Sequence, residues 1–272
     1  MINMFSSFMI TFREGLEAFL IVGIILAYLV QTRRTELNKY VYSGTGLAIV
    51  GSLIAAVVFN LLAIQFEGRN EELFEGLVML IAAVILTSMI IWMARENNNI
   101  SSTIKEQVEG KKAYGLFALA FLSVLREGIE TVLFLGAAAM NTETNAVLYG
   151  GVAGLSVSIV VAYLVFRYSS HTDLNNFFKI TSIFLILFAA GLAAHGVHEL
   201  QEAGVVPIIV EHVWDINHVI DERGTFGSIM KSLLGYNGNP SLIEVLTYVG
   251  YYIAVGIGLR VPGRREKVAI TA

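Results

Sequence analysis

The stretch FSSFMITFREGLEAFLIVGIILAYLV, residues 5–30, decides the solvent in which this chain folds. Its only charges are Arg13, Glu14 and Glu17, and a helix needs about 20 predominantly apolar residues to cross roughly 30 Å of hydrocarbon. Six further runs of this kind lie near residues 41–64, 73–94, 113–140, 147–168, 177–198 and 242–260. Over all 272 residues the chain is 56% hydrophobic and 15% charged, with mean hydropathy +0.68, well outside the range of soluble domains. The expectation is therefore an all-α, polytopic membrane protein, with seven transmembrane helices in a single domain over residues 1–272. The first run lacks a basic flank and a small-residue cleavage site, so it reads as a span and not as a signal peptide. No lipidation signature, phosphate loop or nucleic-acid motif is present, and no nucleic-acid partner is expected. Cysteine is absent, which excludes disulfides, thiolate metal sites and haem attachment; any metal must be held by oxygen or imidazole.

Basic residues near span ends stay cytoplasmic. With the N-terminus outside, Arg33, Arg34, Lys39, Arg95, Lys105, Lys111, Lys112, Arg167, Lys179, Arg260, Arg264, Arg265 and Lys267 fall inside, against Arg69, Arg223 and Lys231 outside. The expected topology is N-terminus outside and C-terminus cytoplasmic. Twelve acidic residues then fall on the outer side and six on the inner, so the outer face is electronegative and concentrates cations.

The charged motif of the first span recurs. Arg13-Glu14-Gly15-Leu16-Glu17 returns 113 residues later as Arg126-Glu127-Gly128-Ile129-Glu130. The spans that follow also align, Tyr42-Ser43-Gly44 with Tyr149-Gly150-Gly151 and Phe59 with Phe166, at an offset of 107. A three-helix unit is thus expected twice, over 1–94 and 113–200. An odd number of spans separates the copies, so the second is inverted relative to the first, with the substrate site near the bilayer midplane where they meet. The stretch 201–241 is expected to be an extracytoplasmic loop and 242–260 an additional seventh helix.

Ionisable groups inside a span cost roughly 2.5–3.5 kcal/mol each even on the lower scales, and mark function by default. Glu14 and Glu17 are three residues apart and share a helix face, as do Glu127 and Glu130. Arg13 and Arg126 can each pair with the glutamate four residues on. Four carboxylates and two guanidiniums carry a net −2, which a di- or trivalent cation would neutralise, and carboxylate oxygens suit hard cations, Fe³⁺, Mn²⁺, Mg²⁺ and Ca²⁺ among them. An ion pair that merely fixes packing would explain one motif; the duplication in matching places argues for a shared metal site of Glu14, Glu17, Glu127 and Glu130, supported by Arg13 and Arg126.

A second group gathers at the outer ends of the third and sixth spans: Glu71, Glu72 and Glu75, with His195, His198, Glu199 and Glu202. The spacing of His198 and Glu202 places imidazole and carboxylate on one helical face, and the group reads as an outer vestibule. Residues 206–223 mix apolar and polar positions as an amphipathic helix at the membrane interface would.

These motifs resemble the oxidase-dependent iron permeases, the family of fungal high-affinity and bacterial EfeU-type permeases. The resemblance rests on REGLE at 13–17, REGIE at 126–130, ELFEG at 72–76, HELQEAG at 198–204 and GYNGNPSLIEVLTY at 235–248, and covers most of the chain. It implies a transporter of the cell membrane, not an enzyme, that moves Fe³⁺ or Fe²⁺ as substrate with no permanent cofactor, in contact with lipid. Its glutamates would bind iron in transit, beside an extracytoplasmic ferroxidase or a peroxidase-type iron-handling partner, with assembly as a homo-oligomer left open. Two alternatives remain at this level. A di-iron carboxylate oxidase would need Glu-x-x-His on two helices, which the sequence lacks. A carrier for another divalent cation fits the carboxylates equally well.

Overall fold

The computed structural model describes residues 3–95, 108–109, 112–140, 144–168, 174–221, 224, 227, 230–231 and 235–260. Among them are seven long α-helices and no strand: α1 (Asn3–Gln31), α2 (Asn38–Gln65), α3 (Arg69–Arg95), α4 (Ala113–Met140), α5 (Thr144–Tyr168), α6 (Leu174–Glu202) and α7 (Leu242–Arg260). A short 3₁₀ turn, Thr35–Leu37, links α1 to α2. Six of the seven are long and apolar enough to cross a membrane. The other, α4, is as long, but every 18-residue stretch of it contains Arg126, Glu127 and Glu130. The helices overrun the apolar runs by up to four residues at either end, because polar flanks such as Arg69-Asn70-Glu71-Glu72 can continue a helix beyond the hydrocarbon. Much of the basic-residue count, including Lys105, Lys111, Arg264, Arg265 and Lys267, lies outside the described residues.

Packing crosses between the two halves of the chain. Helix α1 lies chiefly against α5, α2 against α4 and α3 against α6, while α1 and α4 touch along the middle and α7 leans on α6. Small residues set the approach. A Cβ on Gly76 would stand 2.8 Å from the Gly196 carbonyl oxygen, and one on Gly196 would stand 2.9 Å from that of Gly76. Backbone thus meets backbone where α3 crosses α6. Around this crossing Ile10, Met79, Ala82, Leu86, Phe134, Leu185 and Ala189 form the main buried cluster. A second cluster joins α1, α2 and α4 through Ile25, Leu29, Val41, Leu116 and Ala120, and a third joins α1 to α5 through Phe12, Leu16, Leu20 and Ala162.

The outward faces are apolar. On α2, Leu53, Ile54, Val57, Val58, Leu61 and Ile64 are all exposed, as are Val152, Leu155, Ile159 and Tyr163 on α5. Contiguous apolar surface on this scale is suited to lipid and not to water.

The amphipathic helix expected over 206–223 is not formed: residues 205–221 run as turns and extended chain, and 222–223 lie outside the described residues. Its backbone hydrogen-bonding capacity is taken by another strand of chain, with Val213 N–H donating to the Pro240 carbonyl (2.9 Å), Ile216 N–H to Gly238 (2.8 Å) and Leu242 N–H to Val210 (3.1 Å). Pro207 removes one donor at the start of the segment. Long-range pairing therefore overrides the helix expected from the mix of apolar and polar positions.

Candidate functional site

Helices α1 and α4 bring the two Arg-Glu-Gly-x-Glu motifs to one place. Helix α1 has no charge other than this motif, and the motif's carboxylates point inward. Arg13 is fully buried and Glu14 is 1% exposed, while Glu127 is 3% exposed. One oxygen each from Glu14, Glu17 and Glu127 lies within 4.8 Å of the other two, the only such set of three His, Asp or Glu ligand atoms among the described residues. Glu130 stays just outside this triad, held by Arg126, whose Nε donates to Oε1 at 2.8 Å. On α1 the same spacing sets Arg13 Nε 3.2 Å from Glu17 Oε1. Each guanidinium is also about one further contact from the intervening glutamate, Arg13 to Glu14 at 4.0 Å and Arg126 to Glu127 at 3.9 Å.

The two motifs are not equivalent in their surroundings. Arg13 is sealed in, whereas the Arg126 side chain is 52% exposed. Their glycines have matching roles. A Cβ on Gly15 would stand 2.6 Å from Ser158 Oγ on α5, and one on Gly128 would collide with Ser52 on α2. Both oxygens of Glu14, and Oε2 of Glu127 and of Glu130, are buried without a hydrogen-bond donor among the described residues. Ionised oxygens left so in low dielectric are costly, and a cation bound among them removes that cost. The donor set is all-oxygen, which fits a hard or borderline metal ion.

A second site lies at the end of the bundle where α4 and α6 finish and α7 begins. A cavity of about 400 Å³ is lined by Met140, His195, His198, Glu199, Glu202, Lys231, Asn237 and Asn239. Four of the seven expected vestibule residues, His195, His198, Glu199 and Glu202, therefore share one cavity; Glu71, Glu72 and Glu75 lie on α3 outside its lining. His198 bridges two carboxylates, with Nδ1 3.0 Å from Glu244 Oε1 and Nε2 3.3 Å from Glu202 Oε1.

Glu244 is a site residue that the sequence reading counted only as surface charge. It is 2% exposed, its Oε2 accepts from Asn237 Nδ2 (2.6 Å), and its Oε1 accepts from the Ser241 backbone N–H (3.1 Å). Its own N–H donates to Ser241 Oγ (3.3 Å), closing a reciprocal cap at the start of α7. The Ser241-x-x-Glu244 spacing was the available signal. Ser241 Oγ also donates to Gln201 Oε1 at 2.7 Å, tying α6 to α7.

The sequence profile described as the iron permease FTR1 family matches residues 4–262. The chain is 34% identical to the ferrous iron permease EfeU of Shigella sonnei (strain Ss046) over 272 residues, covering 98% of this chain and 99% of the relative. It is 33% identical to the protein of the same name from Yersinia pestis over 271 residues (96% and 95%), and 34% identical to an uncharacterized protein of Archaeoglobus fulgidus over 263 residues (94% of each). No solved structure matches. A match of this extent, over a multi-pass helical bundle, makes the chain a transporter of the membrane and a member of the iron permease FTR1 family.

Proposed function

We propose that this protein imports iron across the cytoplasmic membrane through a midplane carboxylate site built from Glu14, Glu17, Glu127 and Glu130, with Arg13 and Arg126 holding those carboxylates in place. The observation that carries the proposal is the buried triad of Glu14, Glu17 and Glu127, whose oxygens lie within 4.8 Å of one another and mostly without donors. Glu14 is 11 residues from the start of α1 and Glu127 13 residues from the end of α4. At about 1.5 Å per residue both lie roughly 16–20 Å from the same end of the bundle, half of a bilayer's span.

In this reading all seven helices span the membrane, α4 included, with the N-terminus outside. The halves 1–94 and 113–200 are inverted copies, 201–241 is extracytoplasmic and α7 is the additional helix. Exchanged contacts support it: the Phe166 ring sits on Gly23 and the Phe59 ring on Gly136, a pairing in which each half supplies the same two residues. Iron gathers at the acidic outer end, dehydrates into the triad and leaves inward. A divalent ion entering a negative interior gains about 4.6 kcal/mol per 100 mV, so no second coupled ion is required. The relatives named as ferrous iron permeases favour Fe²⁺ as cargo. An extracytoplasmic ferroxidase or peroxidase-type iron-handling partner at the outer end would instead hand over Fe³⁺, which the all-oxygen site also fits.

The test is ⁵⁵Fe uptake in cells expressing Glu17→Gln or Glu127→Gln at matched membrane levels. Uptake should fall at least tenfold in each; undiminished uptake overturns the midplane site. Excess Mn²⁺ that abolished uptake would make the protein a broader divalent carrier.

A further inference from the structure

The outer cavity carries chemistry that the midplane triad lacks. His195 is 9% exposed, so nine-tenths buried, lines the cavity, and makes no hydrogen bond among the described residues. Its nitrogens are not among the unpaired side-chain atoms closed off from solvent, so the ring opens on the cavity. His198 is held differently. The buried carboxylate of Glu244, fixed by Asn237 and Ser241, accepts the Nδ1 proton. Nε2 faces Glu202 Oε1 at 3.3 Å. When His198 is charged a proton fills that gap, and a metal ion can take the proton's place between the same two atoms.

We propose that this cavity is a first binding station for a hydrated divalent cation, ligated by His195 and His198 through nitrogen and by Glu202 and Glu199 through oxygen, with Glu244 fixing the ligating tautomer of His198. The arrangement of Glu244 behind His198 is that of the carboxylates that orient metal-binding histidines. Size separates the station from the triad. At about 30 Å³ per water, a cavity of 400 Å³ holds an ion that keeps some of its waters beside the protein ligands, whereas ligand atoms within 4.8 Å of one another admit only a stripped ion. Imidazole in the donor set selects Fe²⁺, Co²⁺ or Zn²⁺ over Mg²⁺ and Ca²⁺. Lys231, the one ammonium among the described lining residues, is the group that the ion would displace. The station rests on the import reading, since it supplies the site below it: Met140 on the cavity wall and Glu130 are ten residues apart on α4, about 15 Å.

The test uses tag-free protein in lipid nanodiscs and Co²⁺ as probe. Wild type should bind two Co²⁺ per chain, and Glu14→Gln/Glu127→Gln should retain one, with imidazole scattering in Co K-edge X-ray absorption and no displacement by millimolar Mg²⁺. In that background Glu244→Gln should weaken Co²⁺ binding about 10–100-fold, and His195→Gln at least tenfold. His195 has no hydrogen bond to lose, so a folding defect is not expected of its replacement. Loss of all Co²⁺ binding in Glu14→Gln/Glu127→Gln, residual binding through oxygen alone, or residual affinity unchanged by His195→Gln overturns the station. Retention of both ions in Glu14→Gln/Glu127→Gln overturns the midplane site and leaves the station standing.

Discussion

Replacing Arg13 or Arg126 by glutamine should have very different consequences, although both stand in the same Arg-Glu-Gly-x-Glu motif. Arg13 Nε lies 3.2 Å from Glu17 Oε1 with the guanidinium fully buried. At an effective dielectric of 20 this pair is worth about 5 kcal/mol of Coulomb energy, and removal of one partner of a buried pair typically costs about 3–5 kcal/mol. Arg126 is closer to its partner, 2.8 Å, but half exposed, and if that open face lines a hydrated path between the helices, water reduces such a pair to at most about 1 kcal/mol. A change of 1 kcal/mol shifts Tm by roughly 2–4 °C in chains of 150–250 residues. Arg13→Gln should therefore lower Tm by about 10 °C and Arg126→Gln by no more than about 4 °C. The assay is thermal unfolding of purified protein in one detergent, followed by intrinsic fluorescence. Equal shifts in the two variants would refute the reasoning, because they would mean that burial does not set the strength of these pairs.

Other perturbations have equally definite outcomes. Ser241→Ala removes the cap of α7 and the bond to Gln201, and should cost about 1–2 kcal/mol by the same melting assay. Gly76→Leu drives a side chain into Gly196 and Leu200 and should cost at least about 1–3 kcal/mol while lowering iron uptake in proportion to the folded protein remaining; a neutral result would show that α3 and α6 are not in backbone contact. Tyr251→Phe deletes a 2.8 Å bond to Thr87 between α3 and α7 and should cost about 1 kcal/mol with no change in metal binding stoichiometry.

The helices were legible because a bilayer imposes one length on every span, and seven runs of that length leave little choice. The paired motifs were legible because charge in a span is conspicuous. What the sequence could not give is set by contacts across long separations. Nothing local distinguishes Arg13 from Arg126; the difference lies in which neighbours cover each guanidinium. Glu244 looked like one more outer carboxylate until Asn237, Ser241 and His198 closed around it. Residues 206–223 mix apolar and polar positions as an amphipathic helix would, but the chain at 238–242 competes for backbone groups of that segment and wins.

The crossed pairing of α1 with α5 and α2 with α4 also bears on how the chain is made. At about 5–20 residues per second, synthesis reaches the end of α5 roughly 10–30 s after α1 is complete, so α1 must wait in the bilayer without its main companion. Its charges are prepared for the delay. Arg13 finds Glu17 one turn away on the same helix, so most of the motif's neutralisation travels with α1 and depends on no later segment. The same holds for Arg126 and Glu130 on α4. A local ion pair thus serves as a travelling counter-ion during biogenesis, and exchanging Glu17 for an apolar residue should leave α1 harder to insert even before any other helix exists.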